Sequence, residues 1–418
     1  MMDEPGSTRH AVDTNRQRLL RILREHGPMH RAELARRAGL SRTTVSTAME
    51  VLISEGLVTN LDGRGMTGEE RPVGRPGRLL GIQPGTGSAI GVAFSYHEVR
   101  VILSDLAQGP LIELVTPLPQ EQAPGDDLDI AANMIQQAIE SSGISPEGVL
   151  GVGLGVPGPL DCTRGMAGSS SEKTWSGSMP ADELAHRVGF PTLLDNTARL
   201  SLLAEARWGA GAGKKDVVFV KLSSGVGGGF LVDGRLLRGD LGAGGEIGHV
   251  VVEPGGQLCR CGGRGCLEAY ASVPAVIAQL RPLLGPDIGL SEALLALAKG
   301  NPSVTRLFSD VGQLVGRAVA NAVNLFNPQL VVIGGELAEA GPTLLQSIEQ
   351  ATKRESLPLL SAALSVRQAA LGPRSAALGG IALVLREEDR LVRPGPRRSS
   401  KPVRRLYHNS VSHVTATK

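Results

Sequence analysis

Three of the four cysteines fall within eight positions, Cys259-Arg-Cys261-Gly-Gly-Arg-Gly-Cys266, and His249 stands ten residues upstream. Clustered thiols in a reducing compartment read as metal ligands rather than disulfides. Three thiolates and one imidazole make a tetrahedral donor set that suits Zn²⁺. Four protein ligands leave no open position for catalysis. His249, Cys259, Cys261 and Cys266 therefore predict one structural zinc per chain. The remaining cysteine, Cys162, reads as an ordinary core or surface residue.

With 418 residues the chain is too long for one hydrophobic core, which implies two or three domains. Its 41% hydrophobic and 20% charged content are those of a soluble globular protein. No stretch reaches the ~18 consecutive apolar residues of a membrane helix, and the N-terminus lacks a basic-then-apolar signal pattern. A cytoplasmic location with no membrane partner is expected. A net charge of +2 excludes a uniformly basic nucleic-acid binder, and 3% aromatic content argues against base stacking. The charge is uneven, however. Arginines are dense from Arg16 to Arg78 without a single lysine, and dense again after Arg386, where little apolar material is present to bury. Residues 387–418 thus read as a basic, disordered tail.

The N-terminal arginine-rich segment has helical punctuation. Leu19, Leu20, Ile22 and Leu23 recur at helical spacing up to Gly27-Pro28, and a second short helix carries Leu34 and Ala35 before Gly39. Ser41 caps a third helix whose apolar face is Val45, Met49 and Leu52. Its other face offers Arg42, Thr43, Ser46 and Thr47, short polar or basic groups able to approach base edges and phosphates in a major groove. Leu57-Val58-Thr59 begins a strand, Asp62-Gly63-Arg64-Gly65 supplies a turn, and Arg78-Leu79-Leu80-Gly81-Ile82 returns as its partner. That wing carries Arg75 and Arg78 on a glycine-flanked stretch suited to a minor groove, or alternatively serves only as a linker. The expectation is a winged helix-turn-helix unit that binds a double-stranded DNA operator.

Beyond residue 82, β-rich segments, glycine turns and amphipathic helices alternate, predicting an α/β body with helices packed on a sheet. Candidate strands are Ala89 to Val92, Val99 to Leu103, Val149 to Gly153, Val217 to Lys221 and Leu330 to Ile333. Two of them run into glycines, at Gly225-Val-Gly-Gly-Gly229 and Gly334-Gly335, where freed backbone amides can face an anion. Gly225-Val-Gly-Gly-Gly229, Gly245-Glu246-Ile247-Gly248-His249 and Cys259-Arg-Cys261-Gly-Gly-Arg-Gly-Cys266-Leu-Glu268 together resemble the ROK family, which contains bacterial sugar kinases and sugar-responsive repressors. The resemblance covers about residues 86 to 386. It implies an actin-like, two-lobed sugar-kinase (ribonuclease H-like) body with the sugar between the lobes. Members with a winged helix-turn-helix head are repressors or activators.

Carried over residue by residue, the resemblance assigns sugar hydroxyls to Asn196, Glu246, His249 and Glu268. Carboxylates and amides suit that task because each can pair with two adjacent hydroxyls. His249 can serve twice, with one ring nitrogen on zinc and the other toward the ligand. Glu246 and Glu268 have a second reading as supports of the zinc loop. The family's catalytic aspartate is matched by Thr197, a neutral hydroxyl that cannot take up a proton near pH 7, and Arg199 brings a bulky cation where the family has a small amide. Ala93-Phe-Ser95-Tyr96-His97 replaces the first phosphate-binding hairpin. Three regions are expected: 1–81, a DNA-binding head; 82–386, a two-lobed ligand sensor; and 387–418, the tail. The functional expectation is a homodimeric or homotetrameric transcription regulator, a repressor, that answers a sugar or sugar-phosphate effector and catalyses nothing. The rival readings are an ATP-dependent sugar kinase with a regulatory head and a regulator controlled by a partner protein.

Overall fold

The computed structural model describes residues 5–61, 79–107, 109–119, 124–162, 164–168, 175 and 177–387. Arg75, Arg78 and the basic tail from residue 388 onward lie outside the described residues.

The head runs α1 (Pro5–His26), β1 (Met29–His30), α2 (Arg31–Ala38), α3 (Arg42–Ser54), β2 (Val58–Leu61) and β3 (Leu79–Ile82). Its stops are the expected ones. Gly27 and Gly39 adopt φ of 76° and 60°, the left-handed conformation that ends a helix at little cost to glycine. Ser41 Oγ accepts the Thr44 amide at 3.1 Å and so starts α3. Leu19, Leu23, Leu34, Val45, Met49 and Leu52 form the head's own core. β3 pairs antiparallel with β2 and also with β1, a two-residue strand too short to stand out in the sequence.

The body holds two sheets of identical strand order. In the first lobe β4 (Ser88–Phe94), β5 (Glu98–Asp105) and β6 (Gly109–Pro117) form an antiparallel meander. After α4 (Pro124–Ser142) come β7 (Val149–Val156), a short β8 (Leu160–Asp161) and β9 (Met166–Ala167) pair, α5 (Pro180–Val188) and β10 (Thr192–Asn196). The main sheet is ordered β10-β7-β4-β5-β6, with β4, β7 and β10 parallel. The crossover helix α6 (Thr197–Trp208) leads to the second lobe. There β11 (Val217–Leu222), β12 (Val226–Val232) and β13 (Arg235–Leu236) again form a meander. The helices α7 (Glu268–Ala271), α8 (Val273–Leu284), α9 (Leu290–Ala298) and α10 (Pro302–Phe326) precede β14 (Leu330–Gly334). Then α11 (Pro342–Glu355) and α12 (Pro358–Ser361) lead to β15 (Ser365–Gln368), and the order β13-β12-β11-β14-β15 repeats the first sheet. This is the expected two-lobed α/β architecture.

The last helix, α13 (Ser375–Arg386), crosses back to the first lobe. It lies so close that a Cβ on Gly91 would sit 1.8 Å from Ala377 O, and one on Gly153 would sit 2.0 Å from Gly380 O. Buried residues of α6, α13 and both sheets form one shared cluster, while α4 with α5, and α8 through α11, cover the outer faces. The head rests on this body. Leu106 packs against both the shared cluster and the head core, and the Arg207 guanidinium at the end of α6 donates to the Arg24 carbonyl in the last turn of α1.

Candidate ligand cleft and metal centre

A cleft of about 290 Å³ opens between the lobes. Asn196, Glu246, His249 and Glu268, scattered over more than seventy positions, all line it, together with Thr197, Lys221, Tyr96 and Arg260. Asn196 sits where β10 passes into α6. Its side-chain oxygen caps that helix by accepting from Ala198 N at 2.7 Å, and its amide donates to Gly158 O at 2.7 Å. One amide hydrogen is left for a ligand. Thr197 follows as the first residue of α6.

Glu246 precedes the short 3₁₀ turn Ile247–His249. Burial raises its carboxyl above the usual range, opposed by the charges of His249 and Arg199. Gly248 is required where it stands: a Cβ there would lie 2.1 Å from Val226 O. The stretch Gly227 to Gly229, expected to be part of a free loop, is instead the start of β12. Its glycines admit close neighbours, because Cβ atoms on Gly227, Gly228 and Gly229 would come within 2.9 Å of Ala198, Gly245 and Leu202.

Glu268 opens α7 and is nearly enclosed. Both of its oxygens are already engaged. Arg260 Nε donates to Oε1 at 2.7 Å and Nη2 to Oε2 at 2.8 Å, while Val226 N donates to Oε2 at 2.9 Å. The sequence reading missed Arg260, although its place between two clustered cysteines was a usable signal.

Arg199 does not enter the cleft. It is 1% exposed, and its guanidinium donates to Asp195 Oδ1 at 2.5 Å, Gly244 O at 2.8 Å and Cys162 Sγ at 3.6 Å. Arg238 takes the other oxygen of Asp195 at 3.1 Å. Cys162 is buried; burial, with Asp195 beside it, pushes its thiol up to about 11, and that protonated thiol donates to Gly242 O at 3.3 Å.

Beside the cleft, one donor atom from each of His249, Cys259, Cys261 and Cys266 lies within 4.8 Å of the others. Cys259 Sγ is 3.7 Å from His249 Nδ1, and Cys261 Sγ is 3.7 Å from Cys266 Sγ. Thiolates ~2.3 Å from a tetrahedral Zn²⁺ stand about 3.8 Å apart, so these spacings fit such an ion. With Nδ1 turned to the sulfurs, Nε2 remains the histidine's nitrogen for a ligand.

On the head, Arg42, Thr43 and Thr47 of α3 are exposed and Ser46 is half-buried, with Val45 and Met49 facing the core. The four DNA contacts expected of α3 share one outward face. Among the described residues no helix is long and apolar enough to cross a membrane.

The ROK family model matches residues 90–387, well over half of the chain. The chain belongs to the ROK family. A winged helix-turn-helix DNA-binding model matches residues 12–59 of this ROK protein. It is 30% identical to the DNA-binding transcriptional repressor Mlc of Escherichia coli over 377 residues, covering 87% of this chain and 91% of Mlc. Over 384 residues it is 25% identical to a xylose repressor of Caldicellulosiruptor bescii, covering 89% and 95% of the two chains. A crystal structure of a ROK family transcriptional regulator, homologous to E. coli Mlc, has the same fold, with a TM-score of 0.75 at 24% identity over 91% of this chain and 97% of that one. The ROK protein described here thus joins a body of this family to a head that matches a DNA-binding model, as named regulators among its relatives do over nearly their whole length.

Proposed function

We propose that this protein is a cytoplasmic repressor that releases its operator when a sugar or sugar phosphate closes the cleft between its lobes. The observation that carries this reading is the convergence of Asn196, Glu246, His249 and Glu268 on one cleft, which is also lined by Thr197, the residue that the family resemblance matches to the catalytic base. Hydroxyl-binding groups are present, and a neutral side chain occupies the place of the proton acceptor. Binding without turnover is what a sensor needs. The sugar-named repressor among the relatives favours the same ligand class.

The head, residues 1–81, reads double-stranded DNA through Arg42, Thr43, Ser46 and Thr47, and through Arg75 and Arg78 in the wing. The body, 82–386, senses the effector, and 387–418 is an accessory basic tail. A homodimer or homotetramer brings paired heads to an inverted repeat. His249 and the three clustered cysteines hold one structural zinc, which when bound fixes the loop that presents His249 and Glu268 to the cleft. Tetrahedral donor spacing supports that metal.

The test is a thermal-shift screen of sugars and sugar phosphates on the full chain, with Glu246→Ala alongside. A hit raises Tm in the wild type and weakens its DNA binding, while Glu246→Ala keeps DNA binding and loses the response. An undiminished response in Glu246→Ala overturns the ligand assignment, and ADP release from ATP with any hit overturns the non-enzyme reading.

A further inference from the structure

Resting on that reading, we infer that Arg260 and Tyr96 form a latch across the cleft that decides which ligands are admitted. The guanidinium of Arg260 lies between Glu268 and Tyr96, where all three line the cleft, so a ligand that takes the Glu268 carboxylate has to displace it. On one side it holds both oxygens of Glu268, at 2.7 and 2.8 Å. On the other, its Nη1 donates to the hydroxyl of Tyr96 in the turn between β4 and β5. Arg260 belongs to the cysteine loop of the second lobe and Tyr96 to the first, so one side chain bridges the cleft from lobe to lobe.

The surroundings are shaped for this pair. A Cβ on Gly225 would lie 2.5 Å from Arg260 Nη2 and 2.8 Å from Glu268 Oε2, so a side chain at that turn would collide with it. Val226 N fixes Oε2 from behind at 2.9 Å. The Arg260 side chain is about a third exposed, whereas Glu268 is nearly buried. The arginine is therefore the movable partner.

The chemistry sets the selection rule. A bidentate guanidinium–carboxylate pair carries two charge-assisted bonds, each stronger than a bond from a neutral hydroxyl. A single sugar hydroxyl loses that competition. A vicinal diol that places two hydroxyls on Glu268 at once, while Glu246 and His249 take others, can win it. Arg260 is thus a specificity-determining residue, and Tyr96 positions it.

Hydrogen exchange and calorimetry on the full-length protein test this. Without any ligand, Tyr96→Phe is expected to speed exchange several-fold in residues 94–98 and 223–228 and to leave α10 unchanged; unaltered exchange in those two segments overturns the latch. Titrations with D-glucose, D-xylose, N-acetyl-D-glucosamine and D-glucose 6-phosphate should show Arg260→Ala binding about tenfold more tightly than wild type, with Tyr96→Phe in between. Weaker or unchanged binding by Arg260→Ala overturns the selection rule and makes Arg260 a ligand contact or a mere support. If neither wild type nor variants bind any of the four, the sugar reading fails, and the exchange result alone judges the latch.

Discussion

Asp195 is fully enclosed and shared by two arginines: Arg199 holds one oxygen and Arg238 the other. Removing one cation from such a cluster leaves a buried carboxylate half-paired, which costs about 3–5 kcal/mol. Arg199→Met is expected to lower stability by about that much in chemical denaturation. Asp195→Asn combined with Arg199→Met should lose clearly less than the sum of the two single losses, because both fully buried charges then go together and the remaining cation, Arg238, is a quarter exposed to water. Arg199 also ties Gly244 O, two positions before Glu246, so the single variant should bind any effector more weakly. In the sequence Arg199 stood out only as a bulky cation beside Thr197. Its turn away from the cleft depends on Asp195, four residues back on a strand end, and on the Gly244 carbonyl, forty-five positions later. Spacing alone reveals neither partner. The clustered metal donors were legible because thiols and imidazole bring their own chemistry wherever the chain carries them, whereas the cleft-lining acids were legible only through the family resemblance.

At the scale of elements, apolar strands of four residues or more and capped helices were readable, and two-residue or half-exposed edge strands were not. The five candidate strands all lie within β4, β5, β7, β11 and β14, whose buried faces make continuous hydrophobic runs. β1 and β13 have two residues each, and β6 is a half-exposed edge with polar interruptions. The glycines of β12 misled because glycine serves two ends, free dihedrals and close approach, and sequence does not separate them. The cysteine loop lies at the other extreme. Between His249 and Glu268 the described backbone shows only two isolated bridges, Val251 to Cys266 and Leu258 to Arg264. Loop hydrogen bonds, such as Cys259 N to Gly263 O and Gly265 N to Gln257 O at 2.8 Å, join the donor cluster in holding its shape. Elemental analysis should find one zinc per chain, and Cys266→Ser or a strong chelator should remove it, lower Tm by several degrees and abolish effector binding while far-UV circular dichroism barely changes. Retention of full Tm after chelation would contradict a structural metal.

Over the whole molecule, α6 joins the two ends of the mechanism. Asn196 caps it at the cleft, and Arg207, in its last turn, donates to the Arg24 carbonyl of the head and stacks on Trp208 at 4.7 Å. Twelve residues make a rod about 18 Å long. Its two ends touch the cleft and the head, so the coupling is expected to run along it. Arg207→Ala is expected to bind sugar normally and DNA normally. It should lose most of the ligand-induced change in DNA affinity, a coupling of about 1–3 kcal/mol in such systems. Anisotropy titrations of operator DNA with and without saturating sugar measure this, and a full response in the variant assigns the coupling elsewhere. The return of α13 to the first lobe has a consequence in time. The first lobe is begun at β4 but lacks its covering helix until residues 375–386 emerge from the ribosome, roughly 300 residues after the head, whose core is complete by β3. At about 5–20 residues per second the head exists for about 15–60 s before its sensor can close. Each newly made chain therefore carries a complete head before it carries a complete cleft.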